Sequence, residues 1–139
     1  MNIWVNGCFD ILHPGHIDLL WYAKLYGGTH NKLYVGIDSD ARVKKLKGES
    51  RPINDSFDRF KMLINLKMVD ECIIFNDEKE IRNCIIALDI DYIIVGIEYL
   101  NYVVYGSELS RYGVKYYKKD NHSTTNIINK IKTINNGIQ

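Results

Sequence analysis

Five short apolar runs alternate with segments whose apolar residues recur at helical spacing, and this alternation constrains the fold more than any other feature. The runs are Ile3-Trp4-Val5, Lys32-Leu33-Tyr34-Val35-Gly36-Ile37, Glu71-Cys72-Ile73-Ile74-Phe75, Tyr92-Ile93-Ile94-Val95 and Val114-Lys115-Tyr116-Tyr117. Between the first two, Leu19, Leu20, Ala23 and Gly27 share one helical face. A short helix through Val43 follows Asp38-Ser39-Asp40, and Asn54 or Asp55 can cap a further helix with a core face of Phe57, Phe60 and Ile64. Ile81, Ile85 and Leu88 mark the next helix. Residues 96–112 are expected to be irregular and then helical. Ser123-Thr124-Thr125 opens a last helix carrying Ile127, Ile128, Ile131 and Ile134, with Asn135-Asn136-Gly137 as a frayed end. Strands alternating with helices imply an α/β architecture, a parallel sheet covered on both faces. The expectation is a single doubly wound Rossmann-like domain over residues 1–139, with a five-stranded parallel sheet and its first strand central. A ligand site then belongs at the carboxyl ends of the strands.

One stretch stands at such an end: Gly7-Cys8-Phe9-Asp10-Ile11-Leu12-His13-Pro14-Gly15-His16. Gly7 lets the backbone turn closely as the strand ends, and Pro14-Gly15 suits the first turn of a helix. The unpaired N–H groups of that turn and the positive end of the helix dipole make an anion site. Two imidazoles three residues apart add hydrogen-bond donors for phosphate oxygens.

The pattern GxFDxxHxGH is matched in full by Gly7, Phe9, Asp10, His13, Gly15 and His16, and it resembles the signature of the HxGH nucleotidyltransferases, the cytidylyltransferase-like superfamily. The nearest resemblances are to the adenylyltransferase domain of ADP-heptose synthase and to glycerol-3-phosphate cytidylyltransferase, over residues 6–130. The resemblance implies catalytic roles for His13, His16 and Lys44. It implies nucleotide or phosphate contacts from Gly7, Cys8, Phe9, Asp10 and Gly15, with Asp10 organising the site.

Three further clusters extend it. Val43-Lys44-Lys45-Leu46-Lys47-Gly48, running into Arg51-Pro52-Ile53-Asn54, is similar to the VKRLKG…RPIN segment of the ADP-heptose synthase domain. Lysines on a loop are ordinarily solvated surface; the resemblance implies that Lys44 contacts the transferred phosphoryl group and Arg51 a phosphate. Arg59 stands where the family carries an arginine that reaches the nucleotide phosphates. Ser123, Thr124 and Thr125 suit N-capping on their own, match the family's STT string, and combine hydroxyls with free amides suited to phosphate. After the fourth strand, the sugar-phosphate members have a lysine, two glycines, an aspartate and a tyrosine. This chain keeps Gly96 and Tyr99, has Glu98 for the aspartate and Val95 for the lysine. Asp38, Glu98 and Tyr99 are the acceptor-side candidates. Tyr99, Tyr102 and Tyr105 either line an acceptor pocket or cover the sheet edge. The cytidylyltransferase branch has an arginine before its final serine-threonine string, where this chain has Lys118-Lys119-Asp120-Asn121-His122, a departure that weighs against CTP.

Composition narrows the partners. With 18 basic and 17 acidic residues, a net charge of +1 sets up no field for nucleic acid or membrane. No apolar stretch reaches membrane-spanning length, and the N-terminus enters a strand at once, so neither a span nor a signal peptide is expected. The odd number of cysteines, Cys8, Cys72 and Cys84, lacks metal-ligand spacing and reads as buried free thiols in a reducing cytoplasm. No protein metal site is expected; Mg²⁺ (magnesium) is expected on the triphosphate.

These residues imply in-line attack of an acceptor phosphate on the α-phosphorus of a nucleoside triphosphate. Adenylyl transfer to a phosphorylated sugar such as heptose 1-phosphate leads, ahead of cytidylyl transfer to glycerol 3-phosphate or another polyol phosphate. A non-catalytic nucleotide-binding module is the reading from another class. The family resemblance also implies a homodimer.

Overall fold

The computed structural model describes residues 1–118 and 124–137. Five strands, β1 (Asn2–Gly7), β2 (Lys32–Asp38), β3 (Glu71–Phe75), β4 (Tyr92–Gly96) and β5 (Val114–Tyr117), form one sheet in the order β3-β2-β1-β4-β5. Every neighbouring pair is parallel. The helices are α1 (Pro14–Leu25), α2 (Asp40–Lys47), α3 (Ser56–Ile64), α4 (Glu78–Ala87) and α5 (Thr124–Gly137). This is the Rossmann-like α/β architecture anticipated from the alternation. Its strand order reverses direction at β1, between β2 and β4, where such sheets open a crevice.

Alternation along β1 divides the core. Ile3 and Val5 face one side of the sheet, with Leu33, Val35 and Ile37 of β2, against Leu19, Leu20 and Ala23 of α1 and Leu63 of α3. Trp4 faces the other side, with Tyr34, Phe75 and Ile93, against Ile81 and Ile85 of α4. The indole of Trp4 lies over Gly36, where an added Cβ would come within 2.5 Å of Trp4 Cζ2. Its Nε1 donates to Oδ1 of Asn6 at 2.9 Å. A central parallel strand therefore carries a large aromatic only because its neighbour supplies a glycine.

Local chemistry sets the helix starts. Ser39 accepts from the amide of Arg42, Asp55 from that of Asp58, and Asp77 from that of Glu80. Several sequence expectations are corrected. Gly27 lies beyond α1 with φ of 70°, terminating rather than joining its apolar face. The helix expected through Val43 continues one turn further to Lys47. In α3 the buried positions are Arg59 and Leu63, while Phe57 is 77% exposed. Residues 96–112 hold two short 3-10 turns, Ile97–Tyr99 and Ser107–Leu109, and no α-helix. The last helix runs on through Asn135-Asn136-Gly137, and its Ile131 and Ile134 are exposed. Among the described residues no helix is long and apolar enough to cross a membrane.

Candidate active site

At the carboxyl ends of β1, β2 and β4 the structure opens a cavity of about 680 Å³. Gly7, Cys8, Phe9 and Asp10 leave β1 along its floor, and His13 and His16 enter it from the start of α1. The turn between them is tight. Phe9 adopts a left-handed backbone with φ of 49°, unusual for a bulky side chain, and its ring folds back so that a Cβ on Gly7 would sit 3.2 Å from it. A larger residue at position 7 would therefore press on this ring.

His13 is the N-cap of α1 and Pro14 its first residue, with Gly15 buried beside them. No acidic side chain occupies the first turn, so the positive end of the helix is left for an anion. The two imidazoles stack, ring centres 3.7 Å apart and planes 24° from parallel, and Phe9 packs at a tilt on His16 at 5.0 Å. The backbone N–H of His13 donates to Nδ1 of His16 at 3.3 Å. A nitrogen that accepts a hydrogen bond carries no proton, so the neutral His16 ring holds its proton on Nε2. The fold thereby selects the tautomer that presents an N–H donor.

Asp10 is fully buried and holds the loop that follows α2. Its Oδ2 accepts from Arg51 Nε at 2.9 Å and from the Ile53 amide at 2.8 Å. Its Oδ1 accepts from the Asn54 amide at 2.8 Å. Burial alone would raise its pKa, but the amides of Asn54 and Ile53 and the Arg51 guanidinium outweigh burial and hold it below the usual carboxylate value. Asn54 Nδ2 also donates to the Asp10 carbonyl at 2.8 Å.

Arg59 is equally committed. Its Nη1 donates to the carbonyls of Cys8 at 2.9 Å and Asp38 at 2.7 Å, its Nη2 to Asp40 at 2.8 Å and its Nε to the Asn54 carbonyl at 3.0 Å. With its side chain wholly buried, Arg59 ties the ends of β1 and β2 together. The expected phosphate contact from Arg59 finds no place here, because four of its five N–H donors serve the backbone and Asp40. Arg51 likewise lies behind the wall, on Asp10.

The cationic residues of the wall itself are Arg42 and Lys47. Lys44 is exposed on α2 and does not line the cavity. At about 100° per residue Leu46 and Lys47 flank buried Val43, Arg42 lies on the Leu46 side, and Lys44 projects from the opposite flank. In the sequence Lys47 groups with Lys44, and Arg42 belongs to no motif. The signal for Arg42 was its i+4 spacing from Asp38, the last residue of β2; its Nε donates to Asp38 Oδ1 at 2.7 Å and its Nη1 to Glu78 at 3.1 Å.

Across the cavity stand Gly96, Glu98 and Tyr99, with Val103, Val104 and Tyr105 continuing that wall. The side chain of Glu98 folds over Gly96, where an added Cβ would collide with its carboxylate. Tyr102 is exposed and outside the lining. From α5, Thr124 and Thr125 complete the rim, and Thr124 Oγ1 donates to the Ile11 carbonyl at 2.9 Å while accepting from the Ile11 amide at 3.3 Å. That bond docks the start of α5 on the signature loop. Ser123 lies outside the described residues, as do Lys119, Asp120, Asn121 and His122. Burial pushes the Cys8 thiol pKa up and that of Cys72 to about 11, so both thiols are protonated at neutral pH. Among the described residues no group of three or more His, Cys, Asp or Glu is arranged to hold a metal ion.

The strand-end cavity, the paired histidines and the two helix starts are the geometry of a phosphate-handling site, and the family comparison agrees. A cytidylyltransferase-like family model matches residues 4–133. The chain belongs to the cytidylyltransferase-like family, a family of nucleotidyltransferases. It is 45% identical over 130 residues to the bifunctional protein HldE of Campylobacter fetus, covering 94% of this chain and 28% of that protein. With the bifunctional protein HldE of Helicobacter pylori strain J99 it shares 41% over 134 residues, 96% of this chain and 28% of the relative. The chain thus spans less than a third of these relatives. A lipopolysaccharide core biosynthesis protein from Thermoplasma volcanium has a similar fold, with a TM-score of 0.60, 24% identity and coverage of 97% of this chain and 88% of that one. A protein of unknown function from Archaeoglobus fulgidus superposes with a TM-score of 0.65 at 17% identity, over 85% of this chain and 90% of that one.

Proposed function

We propose that this member of the cytidylyltransferase-like family transfers a nucleoside monophosphate, adenylyl ahead of cytidylyl, from a nucleoside triphosphate to a sugar phosphate such as heptose 1-phosphate. The observation that carries the reading is the stacked His13–His16 pair at the open N-terminus of α1, on the floor of the cavity. The similarity to the HldE proteins and the residues around Arg51-Pro52-Ile53-Asn54 support the ADP-heptose synthase branch over glycerol-3-phosphate cytidylyltransferase.

The chemistry asks little of the protein beyond placement and charge. An acceptor phosphate oxygen forms a bond to the α-phosphorus, the bond from that phosphorus to the bridging oxygen breaks, and pyrophosphate leaves with the electron pair. No proton transfer or covalent intermediate is needed. Catalysis is alignment and stabilisation of the spreading negative charge. His16 donates from Nε2, the start of α1 supplies amides, and Thr125 and the start of α5 meet the leaving pyrophosphate. Lys47, on the wall, takes the part the sequence assigned to Lys44. Asp10 is taken up by Arg51 and the amides of Ile53 and Asn54, so magnesium arriving with the triphosphate would be held mostly by phosphate oxygens and water.

A cytoplasmic setting is part of the proposal, supported by the three free cysteines. So is a homodimer, for which exposed Trp21 and Leu25 on α1 offer apolar surface. The test is pyrophosphate release with ATP, CTP, GTP and UTP crossed against heptose 1-phosphate, glycerol 3-phosphate and ribitol 5-phosphate. Release with ATP and the sugar 1-phosphate is expected. Release only with CTP and a polyol phosphate would move the chain to the other branch. Tight nucleotide binding without release in any combination would make it a binding module.

A further inference from the structure

We propose that Asp38 and Arg42 form a subsite at the β2 end of the cavity that reads a pair of neighbouring sugar hydroxyls, making Arg42 a specificity-determining residue. Both side chains line the cavity. The guanidinium is fixed before any ligand arrives. Nε is held by Asp38 Oδ1 at 2.7 Å, Nη1 by Glu78 at 3.1 Å, and the group lies over the Phe75 ring at 5.5 Å. These bonds use one carboxylate oxygen of Asp38 and two of the three guanidinium nitrogens. Asp38 Oδ2 and Arg42 Nη2 have no hydrogen-bond partner among the described residues.

What remains on this fixed pair is the acceptor Oδ2 of Asp38 and the N–H donors of Arg42 Nη2, both on side chains that line the cavity. Two neighbouring hydroxyls are the natural complement, since one can donate to the carboxylate while the other accepts from the guanidinium. Charge argues against phosphate here. The carboxylates of Asp38 and Glu78 outnumber the single cation of Arg42, so this end of the cavity favours neutral polar groups. The anion-binding features lie elsewhere on the wall, at His16, Lys47 and the starts of α1 and α5. Phosphate recognition and hydroxyl recognition are therefore divided between two ends of one cavity.

The hydroxyls belong either to the sugar of the acceptor or to the ribose of the nucleotide, and this inference rests on the sugar-phosphate nucleotidyltransferase reading above. Calorimetric binding separates the sources without requiring turnover. One arm compares heptose 1-phosphate with ethyl phosphate; the other compares ATP with 2′,3′-dideoxy-ATP. Wild-type protein is expected to prefer the hydroxylated member in at least one arm. Arg42→Gln is expected to weaken that member about tenfold or more, while the hydroxyl-free member changes less than about twofold. The arm that collapses identifies the sugar. Glu78→Gln, which loosens Arg42 from outside the cavity, is expected to shift the same arm in the same direction by a smaller factor and serves if Arg42→Gln does not fold. No preference in the wild type, or an equal preference in wild type and both variants, would overturn the subsite. Absence of pyrophosphate release with hydroxyl discrimination intact would instead count against the transfer reaction alone.

Discussion

Arg51 donates from Nε to the buried carboxylate of Asp10 at 2.9 Å, fastening the loop after α2 to the signature loop after β1. The contact joins residues 41 positions apart, and the amides of Ile53 and Asn54 complete the cradle around the same carboxylate. Lys47 and the histidines are thus carried on two segments that share one electrostatic clasp. Removing one partner leaves the other charge buried without its counterion. Asp10→Asn or Arg51→Gln is expected to lower unfolding free energy by about 3–5 kcal/mol, measured by urea denaturation. A loss within experimental error of zero would show that the clasp does not hold the loop.

The same clasp gives the protein an acid limb. The Asp10 carboxyl is held below its ordinary value of 3.8. Through that window the unfolded chain binds more protons than the folded one, so stability rises with pH. The contribution is complete above the unfolded value and is lost as pH falls toward the lower, folded value. Stability measured from pH 7 downward is therefore expected to separate wild type from Asp10→Asn by a constant margin above about pH 5, narrowing on further acidification. A margin independent of pH down to the acid unfolding limit would contradict this.

The two lysines of α2 make opposite predictions. Lys47 lines the cavity and Lys44 does not. Lys47→Ala is expected to reduce kcat/KM by about tenfold to a hundredfold, the worth of one charge-assisted hydrogen bond. Lys44→Ala is expected to stay within about threefold of wild type. Steady-state pyrophosphate release under matched conditions distinguishes them, and the reverse ranking would restore the role the sequence suggested for Lys44.

Much of the fold was legible because its determinants are local. β3 and β5 begin and end where their apolar runs do, and of the two candidate caps Asn54 and Asp55 it is Asp55 that caps α3. The signature loop was legible too, since Gly7, Phe9, Asp10, His13 and His16 all contribute to one turn. What escaped depended on partners distant in sequence. The family resemblance points Arg59 at the nucleotide phosphates, yet it is buried against the Cys8 and Asp38 carbonyls, which only the sheet brings together. That same demand turns α3 so that Phe57 faces outward. That Lys47 and not Lys44 lines the cavity was not legible, because which lysine of α2 faces inward depends on how the helix packs against the sheet. Arg42 escaped because its i+4 spacing from Asp38 gains weight only when Glu78, 36 residues on, is seen to hold the same guanidinium.

In the proposed reaction His16, with its proton placed on Nε2 by the His13 amide, stabilises charge at the transferred phosphate. The decisive variant is His16→Asn. The Asn oxygen can accept the His13 amide and preserve the cap, but nothing replaces Nε2. With ATP and heptose 1-phosphate, pyrophosphate release by the folded variant is expected to fall about 100- to 1,000-fold, with the urea midpoint close to wild type. A folded His16→Asn protein that releases pyrophosphate at the wild-type rate would remove His16 from the chemistry.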